Sequence, residues 1–136
     1  MAVVYMLDTD TCSYIIKRNP ASVAQAFWEH RNDVISISSV TYAELTYGAL
    51  RSGSSKTMAM IRRFLTHIGT AYFDDAAAEE YARIRCFLEA KGTPIAVADL
   101  MIAACAKAKK AVLVTNNVKH FSRIPDLKVE NWIELE

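Results

Sequence analysis

The sequence predicts an α/β fold with a mainly parallel central sheet of four to five strands flanked by helices. Short, continuous apolar runs alternate with longer segments whose apolar residues recur at helical spacing. Apolar runs of this kind are typical of strands that are buried on both faces of a parallel sheet. Strands that alternate with helices favour a parallel sheet with helices on its faces. The 136 residues suffice for one domain, and we predict a single domain over residues 1–136.

The predicted strands are short apolar runs that stop at a polar or turn residue. The first, 3–7, is followed at once by Asp8, and the fourth, 111–115, is followed by two asparagines. Such abrupt ends mark the point at which a buried strand leaves the core. Further strands are predicted at 34–37, 71–73 and, as a short fifth, 129–135.

Helices are predicted between the strands from capping residues and from apolar residues three and four positions apart. Asn19 is a predicted N-cap with Pro20 at the first helical position, and Asp74 with Asp75 is a predicted cap of the long helix. The predicted helices cover 12–17, a segment from residue 20, 39–49, 56–68, 76–91 and 93–109.

Composition and charge indicate a folded protein without a strongly basic or acidic character. Apolar residues make up 52% of the chain, charged residues make up 23%, and the formal net charge is +1. That composition excludes a disordered chain, and the net charge does not by itself indicate nucleic-acid binding. No run of about 18 apolar residues predicts a membrane span.

The three cysteines, Cys12, Cys86 and Cys105, have no C-x-x-C spacing and lie in apolar, helix-like segments. We therefore predict that all three are small core residues rather than metal ligands or disulfide partners. Because free thiols persist in a reducing compartment, the expected location is the cytoplasm.

Three acidic residues stand where an α/β sheet gathers its ligands. Asp8 directly follows the first strand, Glu44 lies early in the helix after the second strand, and Asp99 lies in a helix that is apolar on almost every side. Ligands of such sheets bind beyond the carboxyl ends of the strands. A charge within an apolar helix is costly unless something pairs with it. These three acids are therefore the candidate catalytic residues.

Thr115, Asn116 and Asn117 end the fourth strand and add hydroxyl and amide oxygens to this edge. Carboxylates together with such oxygens are typical ligands of a hard cation, Mg²⁺ or Mn²⁺. Such an ion activates water and offsets charge on a phosphoryl group. The sequence therefore predicts a metal site that acts on a phosphate ester.

Each of these residues also has a structural interpretation, which the sequence leaves open. Asp8 suits the N-cap of the following helix, and Thr41-x-x-Glu44 matches a capping box. Asp99 suits the positive end of a helix dipole, and the two asparagines suit a turn. The histidines lack metal-type spacing and are predicted at the surface or at helix ends: His30, His67 and His120.

Four segments carry the candidate residues: 6–11 (MLDTDT), 37–45 (ISSVTYAEL), 92–103 (GTPIAVADLMIA) and 113–117 (LVTNN). In order and spacing they resemble the four motifs of PIN-domain ribonucleases, over essentially the whole chain. The likeness is greatest to the VapC toxins of bacterial type II toxin–antitoxin modules. The resemblance implies a single PIN-like domain and a Mg²⁺- or Mn²⁺-dependent endoribonuclease.

The resemblance also assigns roles to individual residues. Asp8, Glu44 and Asp99 carry over as the catalytic acids and as metal ligands, Glu44 directly or through water, and Asn117 carries over as a weak ligand. The supporting positions are Thr9, Asp10, Thr115 and Asn116. Mg²⁺ held by these acids would lower the pKa of a bound water, which would attack the scissile phosphate in line.

Partners and location also follow from the resemblance alone. It implies a structured RNA substrate, with tRNA foremost, and a cognate VapB antitoxin that blocks the site. It implies a homodimer, a larger toxin–antitoxin complex and a place in the bacterial cytoplasm, without a membrane partner.

Three positions depart from the family pattern. Asn117 stands where many relatives have Asp, and an amide coordinates a metal less strongly than a carboxylate does. Asp10 stands where many relatives have Asn, and Lys119-His120 stands where relatives often have Arg-Glu. One acid is thus absent from the fourth motif, and another is gained beside Asp8.

Two other classes of function stay open at this point. Asp8-Thr9-Asp10-Thr11 resembles the nucleophile segment of haloacid-dehalogenase-type phosphatases, for which Ser38 or Ser39, Lys56 and the pair Asp74 and Asp75 mimic the later motifs. That phosphatase reading leaves Glu44 and Asp99 unused. A non-catalytic module that binds RNA or a protein is the second alternative, and a DNA-directed nuclease is a variant of the main interpretation.

Overall fold

The sheet of this protein is entirely parallel and has five strands within the part of the chain that the structure, a computed structural model, describes (residues 3–133). The strand order is β3-β2-β1-β4-β5, so the first strand is central. The strands are β1 (Val4–Leu7), β2 (Val34–Ser38), β3 (Gly69–Ala71), β4 (Val112–Val114) and β5 (Val129–Glu130). The predicted α/β class with a parallel sheet is confirmed.

Seven helices connect and cover these strands between residues 3 and 133. They are α1 (Thr9–Lys17), α2 (Ala21–Glu29), α3 (Ser39–Ser52), α4 (Ser55–Thr66), α5 (Asp75–Ala90), α6 (Val97–Ala108) and α7 (Val118–Phe121). None of the described helices is long and apolar enough to span a membrane.

The two faces of the sheet are buried in two separate apolar clusters, because successive residues of β1 point to opposite sides. Met6 packs in the cluster that includes Leu88 of α5 and Ala103 of α6. Its neighbours in sequence, Tyr5 and Leu7, belong to the other cluster, which α1, α3 and α4 also line. Both faces of the sheet are therefore covered by apolar side chains, and the polar candidate residues lie at the carboxyl ends of the strands.

Several predicted boundaries are wrong at the ends of elements. The third strand is Gly69–Ala71 rather than 71–73, because β2 offers partners only as far as Ser38, and the Phe73 N–H donates instead to Ser39 Oγ (3.0 Å). The second helix begins at Ala21 with Pro20 as its N-cap. The predicted fifth strand is confined to Val129–Glu130, and residues 134 and 135 of that prediction lie outside the described part.

The last long helix also begins later than predicted, at Val97. The Thr93 N–H donates to Leu88 O (2.9 Å) and so belongs to the closure of α5 rather than to α6. Because Pro94 disfavours a helical backbone at the residue before it, residues 93–96 turn the chain from one helix to the next. The short helix α7, which follows β4, was not predicted.

The cysteine prediction is correct at two positions and wrong at the third. Cys12 and Cys105 are buried in the core, whereas Cys86 is exposed. The buried residues of α5 are Ala77, Ile84 and Leu88, and Cys86 lies off the face that they define. Among residues 3–133 no disulfide is formed.

Ser54 caps α4, and its replacement by alanine is expected to destabilise the protein. Its hydroxyl accepts from the Thr57 N–H (3.2 Å), which has no helical partner of its own. Ser54→Ala is therefore expected to lower the free energy of unfolding by about 1 kcal/mol in urea titrations. The neighbouring exposed Ser55→Ala is the control and should change it by less than about 0.5 kcal/mol. Equal losses in the two variants would contradict a capping role for Ser54.

Candidate active site at the carboxyl edge of the sheet

Asp8 lies at the carboxyl end of the central strand and is held by both backbone and side chain. Its N–H donates to Val114 O (3.0 Å), which continues the pairing of β1 with β4. Its Oδ1 accepts from the Thr11 N–H (2.9 Å) and thereby caps α1. The capping interpretation of Asp8 is therefore correct, and the cap fixes the carboxylate at this edge of the sheet.

Burial disfavours the ionised form of the Asp8 side chain. Only 7% of the residue is exposed, and desolvation raises the pKa of its carboxyl above the usual range. Hydrogen bonds from Thr115 and Thr11 act in the opposite direction and lower this pKa, whereas the charge of Asp10 raises it further. The Asp8 carboxylate thus lies in surroundings that favour a nearby positive charge.

Glu44 reaches the site from α3, but not as part of a capping box. Ser38 is the N-cap of α3, and its Oγ accepts from the Thr41 N–H (3.1 Å), so the predicted capping pair of Thr41 and Glu44 is wrong. Glu44 lies more than a turn into the helix, where its Oε1 accepts from Thr9 Oγ1 (2.5 Å). The side chain of Glu44 is therefore directed toward α1 and the residue next to Asp8.

Asp99, in the first turn of α6, completes a group of mutually repelling acids. Desolvation raises the pKa of its carboxyl most, followed by the charges of Asp8, Glu44 and Asp10. His120 acts in the opposite direction and lowers this pKa. Three candidate acids, from the end of β1, from α3 and from α6, thus share one electrostatic environment, although they are 36 and 55 positions apart along the chain.

The segment after β4 contributes one buried residue and two with different environments. Thr115 is fully buried, donates to the Asp8 carboxylate, and its Oγ1 accepts from the Asn117 N–H (2.9 Å). The Asn117 side-chain amide lies 2.8 Å from His120 Nδ1. Asn116 is exposed, and its Oδ1 accepts from Asn131 Nδ2 (3.3 Å). Thr115 therefore supports Asp8, whereas Asn116 is engaged outside the acidic group.

His120 is a residue that the sequence interpretation left aside. His30 and His67 are helix C-caps, and His120 is exposed in the last turn of α7, so all three lie at the surface or at helix ends as predicted. In addition, His120 lowers the pKa of the Asp99 carboxyl. The only sequence feature that singled out His120 was the pair Lys119-His120, which stands where relatives often have Arg-Glu. His120 thus brings an imidazole to the rim of an otherwise acidic site.

The donor set suits a hard cation held largely by water. Among residues 3–133, no three carboxylate, imidazole or thiol side chains stand close enough to enclose an ion by themselves. Mg²⁺ ordinarily keeps several waters and is bound through one or two carboxylates together with substrate phosphates. Asp8 and Asp99 match that mode of binding, since the negative charge of Asp8 raises the pKa of the Asp99 carboxyl and a cation would relieve this repulsion.

Comparison with known proteins assigns the family. The PIN domain model matches residues 5–127. The chain is 37% identical over 129 residues to the tRNA(fMet)-specific endonuclease VapC of Salmonella typhimurium, with 94% of this chain and 97% of the relative covered. The chain is a PIN domain of the VapC family. Ribonuclease VapC2 of Rickettsia felis is 39% identical over 132 residues, with 96% of this chain and 98% of that protein covered.

Solved structures of VapC-containing complexes share this fold over nearly the whole chain. The structure of VapBC2 from Rickettsia felis, bound to a DNA fragment from its promoter, matches with a TM-score of 0.87 and 38% identity, covering 96% of this chain and all of that chain. DNA-bound VapBC from Salmonella typhimurium matches with a TM-score of 0.86 and 36% identity, with 96% and 99% covered. The sheet order and helices described above are therefore those of VapC proteins.

The phosphatase alternative finds no support in this VapC fold. That alternative needed Asp74 and Asp75 as members of the site. Asp74 instead caps α5, where its Oδ1 accepts from the Ala77 N–H (3.0 Å), and its other oxygen accepts from Lys109 Nζ (3.4 Å). Asp74 is thus occupied by a structural role.

Proposed function

We propose that this chain is a metal-dependent endoribonuclease toxin that hydrolyses phosphodiester bonds in structured RNA. The observation that carries the proposal is the shared electrostatic environment of Asp8, Glu44 and Asp99. In this environment the negative charges of Asp8 and Glu44 raise the pKa of the Asp99 carboxyl. Membership of the VapC family, whose curated members are named ribonucleases, supports the reaction class.

Asp8 and Asp99 would hold a Mg²⁺ or Mn²⁺ ion, with Glu44 bound directly or through water and Asn117 as a weak ligand. When bound, such an ion lowers the pKa of a coordinated water and offsets negative charge on the phosphoryl oxygens. Asp8 is kept in place by its cap to Thr11, and Glu44 Oε1 accepts a hydrogen bond from Thr9 Oγ1. The chain's own contribution is therefore a rigid set of oxygen ligands whose repulsion a cation relieves.

The proposed substrate is RNA with an accessible loop, and tRNA in particular. Relatives from Salmonella typhimurium and Shigella flexneri are named tRNA(fMet)-specific endonucleases, at 37% and 39% identity. Nucleotides in a loop leave their backbone reachable by a site at the edge of a sheet. Lys119 and His120 are exposed at the rim of the site and are suited to contact RNA phosphates.

We propose a VapB-type antitoxin as the partner, and a homodimer of this chain within a larger toxin–antitoxin complex in the bacterial cytoplasm. Matching structures are VapBC complexes from Rickettsia felis, Salmonella typhimurium and Haemophilus influenzae. Tyr47 and Leu50 of α3 leave 61% of each residue exposed and offer apolar surface to a second copy.

A groove of about 700 Å³ between α1, α2 and α4 is the proposed antitoxin contact. Its apolar lining includes Ile16, Phe27, Trp28, Met60 and Phe64, and Trp28 leaves 65% of its surface exposed. Cationic residues border it: Lys17, Arg18 and Arg63. An apolar floor with a basic border fits an amphipathic helix that carries acidic residues.

Met60→Asp is therefore expected to release the toxin from its antitoxin without changing RNA cleavage. A carboxylate in the groove would be buried unpaired against the antitoxin, so its affinity should fall at least about tenfold in titration calorimetry. Tyr72→Asp, at an exposed position outside the groove, is the control and should bind normally. Unchanged inhibition of Met60→Asp by the antitoxin would place the contact elsewhere.

Cleavage of total bacterial RNA and of RNA and DNA oligonucleotides of matched sequence tests the proposed function. Wild type and Asp99→Asn are compared with Mg²⁺, with Mn²⁺ and with EDTA. Discrete RNA fragments that require metal and are absent with Asp99→Asn are expected, together with intact DNA. Metal-independent cleavage, or binding of RNA without cleavage by folded wild type, would contradict the proposal.

A further inference from the structure

Three side-chain hydroxyls connect Glu44 to the start of α1 and to the end of β2. Thr9 Oγ1 lies 2.5 Å from Glu44 Oε1 and 3.3 Å from Thr41 Oγ1. Thr41 Oγ1 in turn lies 3.4 Å from Ser38 Oγ. The four side chains come from three different elements, β2, α1 and α3, and meet in one continuous chain of contacts.

The direction of these hydrogen bonds follows from counting protons. Each hydroxyl has one proton, and an ionised carboxylate only accepts. Because the Thr9 proton goes to the Glu44 carboxylate, the contact between Thr9 and Thr41 takes its proton from Thr41. Ser38 then donates to Thr41 Oγ1, and its oxygen accepts from the Thr41 N–H. All three hydroxyl protons thus point toward Glu44.

The hydroxyls of this chain that lie farthest from the Glu44 carboxylate are held in place by burial. Ser38 and Thr41 are fully buried, Thr9 is partly buried, and Glu44 itself is exposed. An exposed glutamate on a helix ordinarily samples several rotamers. The hydrogen bond from Thr9 restrains the Glu44 side chain against the first residue of α1, the helix that the Asp8 side chain caps.

We propose that Thr9 and Thr41 are positioning residues that hold the Glu44 carboxylate beside Asp8. The inference rests on the proposed function for its consequence, because the oriented carboxylate is the one that would serve the cation. Thr9 acts on Glu44 directly, and Thr41 acts through Thr9. Neither threonine needs to contact RNA or metal for this role.

A double-mutant cycle in metal-free buffer tests the contact independently of any activity. Thr9→Val keeps the shape of the side chain and removes the hydroxyl, and Glu44→Ala removes the acceptor. The loss of melting temperature in the double variant is expected to be smaller than the sum of the two single losses. Thr46→Val is the matched control, since the Thr46 hydroxyl on the same helix is buried without a hydrogen-bond partner among the described residues. The change in melting temperature caused by Thr46→Val should simply add to the change caused by Glu44→Ala.

Metal binding and kinetics test the positioning role. With Thr9→Val, the affinity for Mn²⁺, followed by electron paramagnetic resonance, and kcat for RNA cleavage are each expected to fall about 10- to 100-fold. KM for RNA should change less than twofold. Thr9→Ser retains the hydroxyl and should restore both quantities, and Thr46→Val should leave them unchanged.

The outcomes separate the two proposals. Additive losses in the cycle, or wild-type Mn²⁺ affinity and kcat in Thr9→Val, would overturn the positioning role. A wild type that cuts no RNA, combined with a coupled cycle and weaker Mn²⁺ binding in Thr9→Val, would overturn the proposed function and support the positioning role.

Discussion

Asp8→Asn is expected to abolish RNA cleavage while leaving the protein at least as stable as wild type in metal-free buffer. The amide is a poorer metal ligand, and the loss of several kcal/mol of charge stabilisation should lower kcat/KM at least about a thousandfold. Stability is retained because asparagine caps a helix about as well as aspartate does. The variant also removes a buried charge whose desolvation raises the pKa of the Asp8 carboxyl.

Asp8→Ala separates the two roles of this residue. Both variants lack the charge, but alanine leaves the Thr11 N–H without the oxygen that lies 2.9 Å away in wild type. The alanine variant should therefore unfold at a free energy about 1 kcal/mol lower than the asparagine variant, although both are inactive. Urea titration and cleavage assays on the two variants measure this difference. Residual activity in Asp8→Asn near that of wild type would show that Asp8 serves only as a cap.

Mg²⁺ or Mn²⁺ is expected to stabilise the wild-type protein at neutral pH and to have little effect on Asp99→Asn. An ion that binds only the folded state adds about 2.7 kcal/mol when its concentration is a hundredfold above its Kd. Thermal melts in EDTA and in increasing metal concentrations measure this effect. Stabilisation of equal size in Asp99→Asn would mean that the ion binds elsewhere.

The pH dependence of the metal-free protein has a defined sign. In the folded state the pKa values of Asp8 and Asp99 are raised above the ordinary value of 3.8. Their contribution to stability is therefore complete below pH 3.8 and is lost as the pH rises through the raised pKa values. Asp33 and Asp74 have lowered pKa values, so their contribution is present above pH 3.8 and is lost only at more acidic pH. Above pH 3.8, Asp99→Asn should gain stability relative to wild type.

Local patterns along the chain were sufficient to predict most of the elements of the fold. Continuous apolar runs identified the strands, because a strand buried on both faces has no polar alternation. The capping prediction for α5 is confirmed, since Asp74 is its N-cap. The boundaries that were wrong depend on distant partners. The length of β3 is limited by where β2 ends, and the start of α6 depends on how α5 is closed.

The site shows the same division. Asp8 and Asp99 could be singled out because a charge stands next to apolar sequence, and their catalytic roles stay predictions. The pairing of Glu44 with Thr9 was not predictable, because it joins α3 to α1, whereas the local pattern offered only a capping box with Thr41 as the alternative to a catalytic role. The N-cap of α3 is instead Ser38. His120 was also missed, because its effect on Asp99 depends on where the short helix α7 packs.

The sequence by itself determined the α/β class, the parallel sheet and the positions of the acidic residues, because these depend on periodicity and on abrupt changes of polarity along the chain. Only the tertiary structure decided which side chains meet. Thr9 contacts Glu44 and Thr41, and Thr9 and Thr41 are 32 positions apart. Asp8 raises the pKa of Asp99 from 91 positions away, and His120 lowers it. Hydrogen bonds and Coulomb interactions act over a few ångströms in space, so their partners follow from packing rather than from distance along the chain.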